Sequence, residues 1–79
     1  MKLLVRNLAR TTTEPEIQKL FSRFGAITEC TLVLDKVTGD SKGFAFVEMP
    51  NETEGSAALT KLHMSTVAGS KIRVKLADA

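Results

Sequence analysis

The sequence predicts an α+β domain whose elements follow the order β-α-β-β-α-β. The main observations are four short segments of apolar and β-branched residues with period-two patterning and two segments with helical spacing. Turn-forming residues separate these segments, and no repeat or low-complexity tract interrupts them. Because the chain has only 79 residues, we expect a single domain over residues 1–79.

The first strand is predicted over residues 2–8, and the first helix follows it. The inward side chains of the strand are Leu3, Val5 and Leu8, and the outward ones are Leu4 and Arg6. Thr13 and Glu16 form a capping box that opens the helix, and Gly25 ends it. One helical stripe then faces the core, formed by Ile17, Leu20, Phe21 and Phe24.

The remaining elements are predicted from the same signals. Asn51 and Glu54 open a second helix, which Gly55 weakens by roughly 0.5–1 kcal/mol relative to alanine. Strands are predicted over residues 27–34, 43–49 and 71–76, with a turn over 35–42 and a loop over 65–70. In the last strand, Ile72, Val74 and Leu76 are the inward residues.

This order is that of ferredoxin-like folds, in which a four-stranded antiparallel sheet carries two helices packed on one face. The other face of the sheet is then open to solvent. Alternation along the third strand places small and aliphatic residues toward the helices, namely Gly43, Ala45, Val47 and Met49. It places Lys42, Phe44, Phe46 and Glu48 on the open face.

Aromatic rings among cations on an open sheet favour a nucleic-acid partner. Phe21 and Phe24 belong to the core by their spacing, so two of the four Phe residues remain on the open face. Rings stack on unpaired bases for about 1–3 kcal/mol each, and cations hold phosphates. The outward cations are Arg6, Lys42, Lys71, Arg73 and Lys75. The net charge of +2 is weak evidence for a nucleic-acid partner on its own, and the positions of the charged residues are more informative.

Residues 42–49 resemble the octapeptide of the RNA recognition motif family, with Met49 in place of the closing aromatic residue. Residues 3–8 resemble the companion hexapeptide of that family, and the two segments begin 42 − 3 = 39 residues apart. The resemblance covers essentially the whole chain. It departs from the family at Leu4, where a second stacking ring is usual, so we expect weaker or more register-selective binding.

The resemblance implies a role for each matching residue. Phe46 stacks on a base, Phe44 lies against the sugars, and Lys42 pairs with a phosphate. Arg73, Lys75 and the chain near Ala77 contact further bases. The implied ligand is a short single-stranded RNA of ~2–4 nucleotides, with single-stranded DNA as a second possibility. A post-transcriptional role and a monomeric state are expected.

Other classes of function find little support in the sequence. No nucleophile, base and acid occur together, and no glycine-rich phosphate loop is present, so we expect neither an enzyme nor a bound cofactor or metal. The single cysteine, Cys30, is expected to be a small buried residue. A reducing, cytoplasmic location is expected, or a nuclear one in a eukaryote, without membrane insertion. The alternative function is a protein-interaction module that uses the apolar part of the sheet.

Overall fold

A computed structural model describes residues 1–77. The elements in chain order are β1 (Lys2–Arg6), α1 (Glu14–Ser22), β2 (Glu29–Leu34), β3 (Ser41–Glu48), α2 (Glu52–Leu62), β4 (Thr66–Val67), β5 (Ser70–Lys71) and β6 (Arg73–Leu76). Four of the strands form one antiparallel sheet in the order β2-β3-β1-β6. The predicted ferredoxin-like architecture is confirmed.

The hydrophobic core lies between this sheet and the two helices. The sheet supplies alternate residues from β1 and β3, as their parity predicts. Fully buried side chains from these strands and the two helices include Leu3, Val5, Ala45, Val47, Ile17, Phe21 and Ala58. The helices therefore cover one face of the sheet, and the opposite face is left for the outward residues.

The helix α1 begins as predicted and ends earlier than predicted. The Glu16 carboxylate accepts hydrogen bonds from the backbone N–H of Thr13 at 3.0 Å and from its hydroxyl at 2.8 Å. The helix stops at Ser22, so Phe24 lies beyond its end, yet this half-buried ring still packs against the core. The strand β2 likewise begins at Glu29 rather than at residue 27.

Two residues at the start of α2 have identifiable structural roles, namely the N-cap Asn51 and the buried Gly55. The Asn51 side chain accepts a hydrogen bond from the Glu54 backbone N–H at 3.0 Å, as predicted. Gly55 is buried against Met1, whose sulfur occupies the space that a β-carbon would need. The glycine that weakens the helix therefore permits its close approach to the start of β1.

The segment after α2 differs from the prediction in two ways. Ser70–Lys71 pairs with Thr66–Val67 in a small separate hairpin, so Lys71 does not belong to the four-stranded sheet. Leu76 lies opposite Leu3 on β1, but 56% of its surface is exposed. Its predicted burial is wrong because β6 is an edge strand, with a neighbour on only one side.

The small hairpin offers a test of backbone strain. Its two-residue turn places Ala68 at φ 51° and Gly69 at φ 83°, the left-handed pattern of a type I′ turn. Asparagine tolerates this region better than alanine does, so Ala68→Asn is expected to stabilise the domain by about 0.5–1 kcal/mol. The midpoint of thermal unfolding should rise by roughly 2–8 °C. An unchanged or lower midpoint would contradict the assigned turn.

Candidate nucleic-acid interface

Phe46 occupies the centre of the open face. It lies opposite Leu4 on β1 and opposite Thr31 on β2, and Leu4 in turn lies opposite Lys75 on β6. These four residues form a row across the sheet with the aromatic ring near its middle. The ring is half-buried, so one part of it is anchored in the sheet while another part remains available for contact.

Phe44 lies two residues before Phe46 and presents its ring on the same face. The two ring centroids are 6.2 Å apart, and the ring planes are nearly perpendicular at 85°. This edge-to-face contact is a favourable arrangement for two aromatic side chains. The predicted pair of outward rings is therefore present, and the two rings present differently oriented faces.

Lys2 is a cation of this face that the sequence analysis did not single out. Its Nζ atom lies 5.2 Å from the centroid of the Phe46 ring, which is a cation–π distance. Strand alternation is a sufficient signal for finding Lys2, because it lies two residues before the outward-facing Leu4 and therefore on the same face. The central ring thus carries a positive charge next to the surface on which a base could stack.

Arg6 and Arg73 lie opposite each other where β1 and β6 pair. Together with Asn7 and Lys75 they line a shallow depression of about 300 Å³. Asn7 has a left-handed backbone with φ 59°, and its side-chain N–H donates to the Lys71 carbonyl at 2.8 Å. This hydrogen bond connects the end of β1 to the segment that leads into β6.

A second depression lies on the other side of Arg6. It has a volume of about 220 Å³, and its lining includes Arg10, Lys42, Gly43 and Phe44. Arg10 was not among the predicted site residues, because it lies in the loop after β1, where strand alternation gives no information. Arg10 therefore lines the same depression as Lys42, the residue that is predicted to pair with a phosphate.

Gly43 is required by the backbone between Lys42 and Phe44. Its φ of +83° is left-handed, and a β-carbon would lie 3.3 Å from the Leu8 carbonyl oxygen. The β2–β3 register also shifts between Leu32 and Leu34, opposite this segment, as a bulge does. The glycine accommodates the left-handed backbone at this bulge, directly before Phe44.

The predicted residues are not all brought together. The structure groups seven of them on or beside the four-stranded sheet, namely Leu4, Arg6, Lys42, Phe44, Phe46, Arg73 and Lys75. Lys71 is exposed but lies in the separate β4–β5 hairpin. Ala77 is half-buried just after β6, where its N–H donates to the Lys2 carbonyl at 2.8 Å.

Carboxylates collect at the opposite end of the open face. Glu29 on β2 lies opposite Glu48 on β3, and Glu48 lies opposite Lys2 on β1. One Glu48 oxygen is 3.1 Å from the Met1 amino group. Other carboxylates, those of Glu14, Glu16, Glu52 and Glu54, lie in the first turns of the two helices, whereas Glu29 and Glu48 make the sheet face itself uneven in charge.

Cys30 and His63 each contact the backbone of a neighbouring element, Cys30 that of Glu14 and His63 that of Val74. Burial, followed by the nearby Glu14 carboxylate, raises the pKa of the half-buried Cys30 thiol to about 11, so it stays protonated at neutral pH. His63 accepts a hydrogen bond from the Val74 N–H at 3.1 Å through Nδ1. Within residues 1–77, no three potential metal-binding residues come together, and no helix is long and apolar enough to cross a membrane.

Fold and site together define an open-sheet domain that presents two rings among cations. The chain belongs to the RNA recognition motif family, whose family model matches residues 3–73. This membership confirms the resemblance seen in residues 3–8 and 42–49. It also supports the expectation that the domain is not an enzyme.

Individual relatives agree with the family. Glycine-rich RNA-binding protein 1 of Mycosarcoma maydis is 35% identical over 99% of this chain and 45% of its own length. Glycine-rich RNA-binding protein 4, mitochondrial, of Arabidopsis thaliana is 36% identical over 96% of this chain and 56% of its own length. The chain thus spans about half the length of these two relatives.

The solved structure of a Sxl-lethal protein/RNA complex has the same fold. It superposes with a TM-score of 0.94 at 32% identity and covers 99% of this chain and 47% of its own chain. The similarity therefore extends over all the elements that form the open sheet face.

Proposed function

We propose that this domain binds short single-stranded RNA across the open face of its sheet. The observation that carries the proposal is the pair of half-buried rings, Phe44 and Phe46, on a face that also bears cations without an ion-pair partner in residues 1–77. The names of the relatives and the RNA complex of the similar structure support RNA as the ligand.

The geometry supports a different RNA contact for each of these residues. Phe46 and the neighbouring Lys2 offer a base both a stacking surface and a positive charge. Phe44 is turned by 85° to that ring and offers its surface to a sugar. Arg6 and Arg73 line the larger depression and hold a phosphate or the edge of a further base.

Leu4 restricts how many bases can stack. It lies beside Phe46 at the position where the family usually has a ring, and an aliphatic side chain offers a base only apolar contact. One stacking interaction of ~1–3 kcal/mol is therefore absent. We propose a site for ~2–4 nucleotides whose affinity depends strongly on the two remaining rings and on phosphate contacts.

A charge-matched comparison tests whether RNA lies on the sheet face. Arg6→Gln/Arg73→Gln removes two cations from that face, and Arg23→Gln/Lys61→Gln removes two exposed cations near the C-terminal ends of the helices. Anisotropy titrations of a random single-stranded RNA should show a slope of log affinity against log salt that is shallower by about 1.4 for the first variant only.

Equal slopes for the two variants would contradict binding on the sheet. Absence of binding by the wild-type domain would contradict the function itself. A single-stranded DNA of the same sequence, titrated in parallel, measures the contribution of the 2′-hydroxyls, because these groups distinguish RNA from DNA.

The alternative function is docking of a protein partner on the apolar strip formed by Leu4, Phe44 and Phe46. The cations around that strip, which have no ion-pair partner in the described part of the chain, favour RNA, a polyanion, over a protein partner. We further propose a monomer that acts in post-transcriptional regulation of RNA. A cytoplasmic or nuclear location stays a prediction, since one relative is mitochondrial by name.

A further inference from the structure

A cluster of three cations surrounds the depression beside Phe44. The depression is lined by Arg6, Arg10 and Lys42 and lies at the end of the sheet where β1 ends and β3 begins. We propose that these three side chains bind one phosphate group of the RNA. This inference rests on the proposed function, and it assigns a binding role to Arg10, which lies outside both sequence motifs.

The Arg10 side chain is held in place by the sheet. Its Nη1 donates a hydrogen bond of 2.7 Å to the carbonyl of Ser41, the first residue of β3. A guanidinium has five N–H donors, and no other hydrogen bond from Arg10 to a side chain or backbone acceptor occurs within residues 1–77. The group is therefore oriented in advance, and its remaining donors are available to an anion.

The three cations have no ion-pair partner within residues 1–77. Within residues 1–77, the only ion pair joins the Met1 amino group to Glu48, at the other end of the open face. Arg6, Arg10 and Lys42 thus repel one another in the free domain, and an anion between them would relieve that repulsion. A phosphate group has the charge and the acceptor oxygens that fit two guanidinium groups and an ammonium.

Gly43 keeps the floor of this depression open. A β-carbon at this position would lie 3.5 Å from Arg10 Nε, within van der Waals contact of the guanidinium. The absence of a side chain leaves room for an anion beside Arg10. Phe44 follows directly along the chain and lines the same depression, so the phosphate would belong to the nucleotide whose sugar contacts Phe44.

A set of single variants tests the assignment. Arg10→Gln and Arg23→Gln remove the same charge, from the depression and from the end of α1 respectively. For a random single-stranded RNA hexamer, Arg10→Gln should weaken binding about tenfold and reduce the salt slope by about 0.7. Arg23→Gln should change neither quantity, and Arg10→Lys should retain most of the salt slope because it keeps the charge.

A direct measurement covers the case in which Arg10→Gln loses stability along with its bond to Ser41. In the wild-type domain, the NMR signal of the Arg10 Nε–H should shift when the RNA hexamer is added, and the Arg23 signal should not. An unshifted Arg10 signal, or equal binding by the two glutamine variants in folded form, would overturn the inference. The proposed function would survive that result if Phe44 and Phe46 were still required for binding.

The same titrations identify the source of the phosphate. The wild type is titrated with a hexamer that carries a 5′-phosphate and with one that carries a 5′-hydroxyl. Tighter binding of the 5′-phosphate hexamer, if Arg10→Gln loses this gain, indicates that the site binds a terminal phosphate. Equal affinity of the two hexamers, combined with the loss in Arg10→Gln, indicates an internal phosphodiester. Either pattern supports the site, because both require Arg10.

Discussion

Replacing both Phe44 and Phe46 with alanine is expected to abolish most of the RNA affinity while leaving the domain folded. Stacking of a base on Phe46 is worth ~1–3 kcal/mol and Phe44 adds the contact with a sugar, so the double variant should bind at least about fivefold more weakly. Both rings are half-buried on the outer face of the sheet, and the core beneath them is formed by other residues. The unfolding free energy should fall by the edge-to-face contact, about 0.5–1.5 kcal/mol, and by the lost burial of the two half-buried rings.

Phe24→Ala is the matched control for this experiment. It removes the same side chain from a half-buried position, but on the side of the sheet that the helices cover. We expect it to lower the stability and to leave the affinity of the folded domain for single-stranded RNA unchanged. If Phe24→Ala weakened binding as much as the Phe44/Phe46 variant does, the open face would not be the RNA surface.

Phe21→Ala is expected to unfold a large fraction of the protein at 25 °C. Phe21 is fully buried and is the largest of the completely buried side chains in residues 1–77. Its truncation should cost about 3–5 kcal/mol through lost apolar contact and an unfilled cavity. A domain of this size has a net stability of only about 3–5 kcal/mol, so little would remain. Urea unfolding followed by circular dichroism measures the loss.

Phe21→Leu provides the comparison that separates volume from aromaticity. Leucine fills much of the same space, so this variant should fold and lose less than half of what alanine loses. A cooperative transition for Phe21→Ala at the wild-type midpoint would show that the core does not depend on this ring. That result would contradict the packing between α1 and the sheet.

The sequence predicted most of the site because strand parity is a local property. Leu4, Phe44 and Phe46 face outward simply because their neighbours in the chain face the core. Their relative positions follow from the β1–β3 register, which places Leu4 opposite Phe46. The same rule applied to Lys2 would have included it in the site.

The remaining differences arise where position depends on distant parts of the chain. Arg10 reaches the site through a hydrogen bond to Ser41, which lies 31 residues away. Lys71 continues the alternation of β6 in sequence, yet the tight turn at Ala68 pairs it with Thr66 instead. Leu76 has the expected parity, but its exposure depends on what covers the sheet edge. Alternation along a single strand contains none of this information.

The uneven charge of the sheet face has a consequence for the kinetics of encounter. Arg6, Arg73 and Lys42 lie toward one end of the face, and Glu29 and Glu48 lie toward the other. Lys2 and the Met1 amino group offset those two carboxylates, so a polyanion that diffuses toward the domain is attracted chiefly to the end that holds Arg6, and it experiences a torque as well as an attraction. The field would thus align an incoming strand before contact and raise the fraction of collisions that lead to binding.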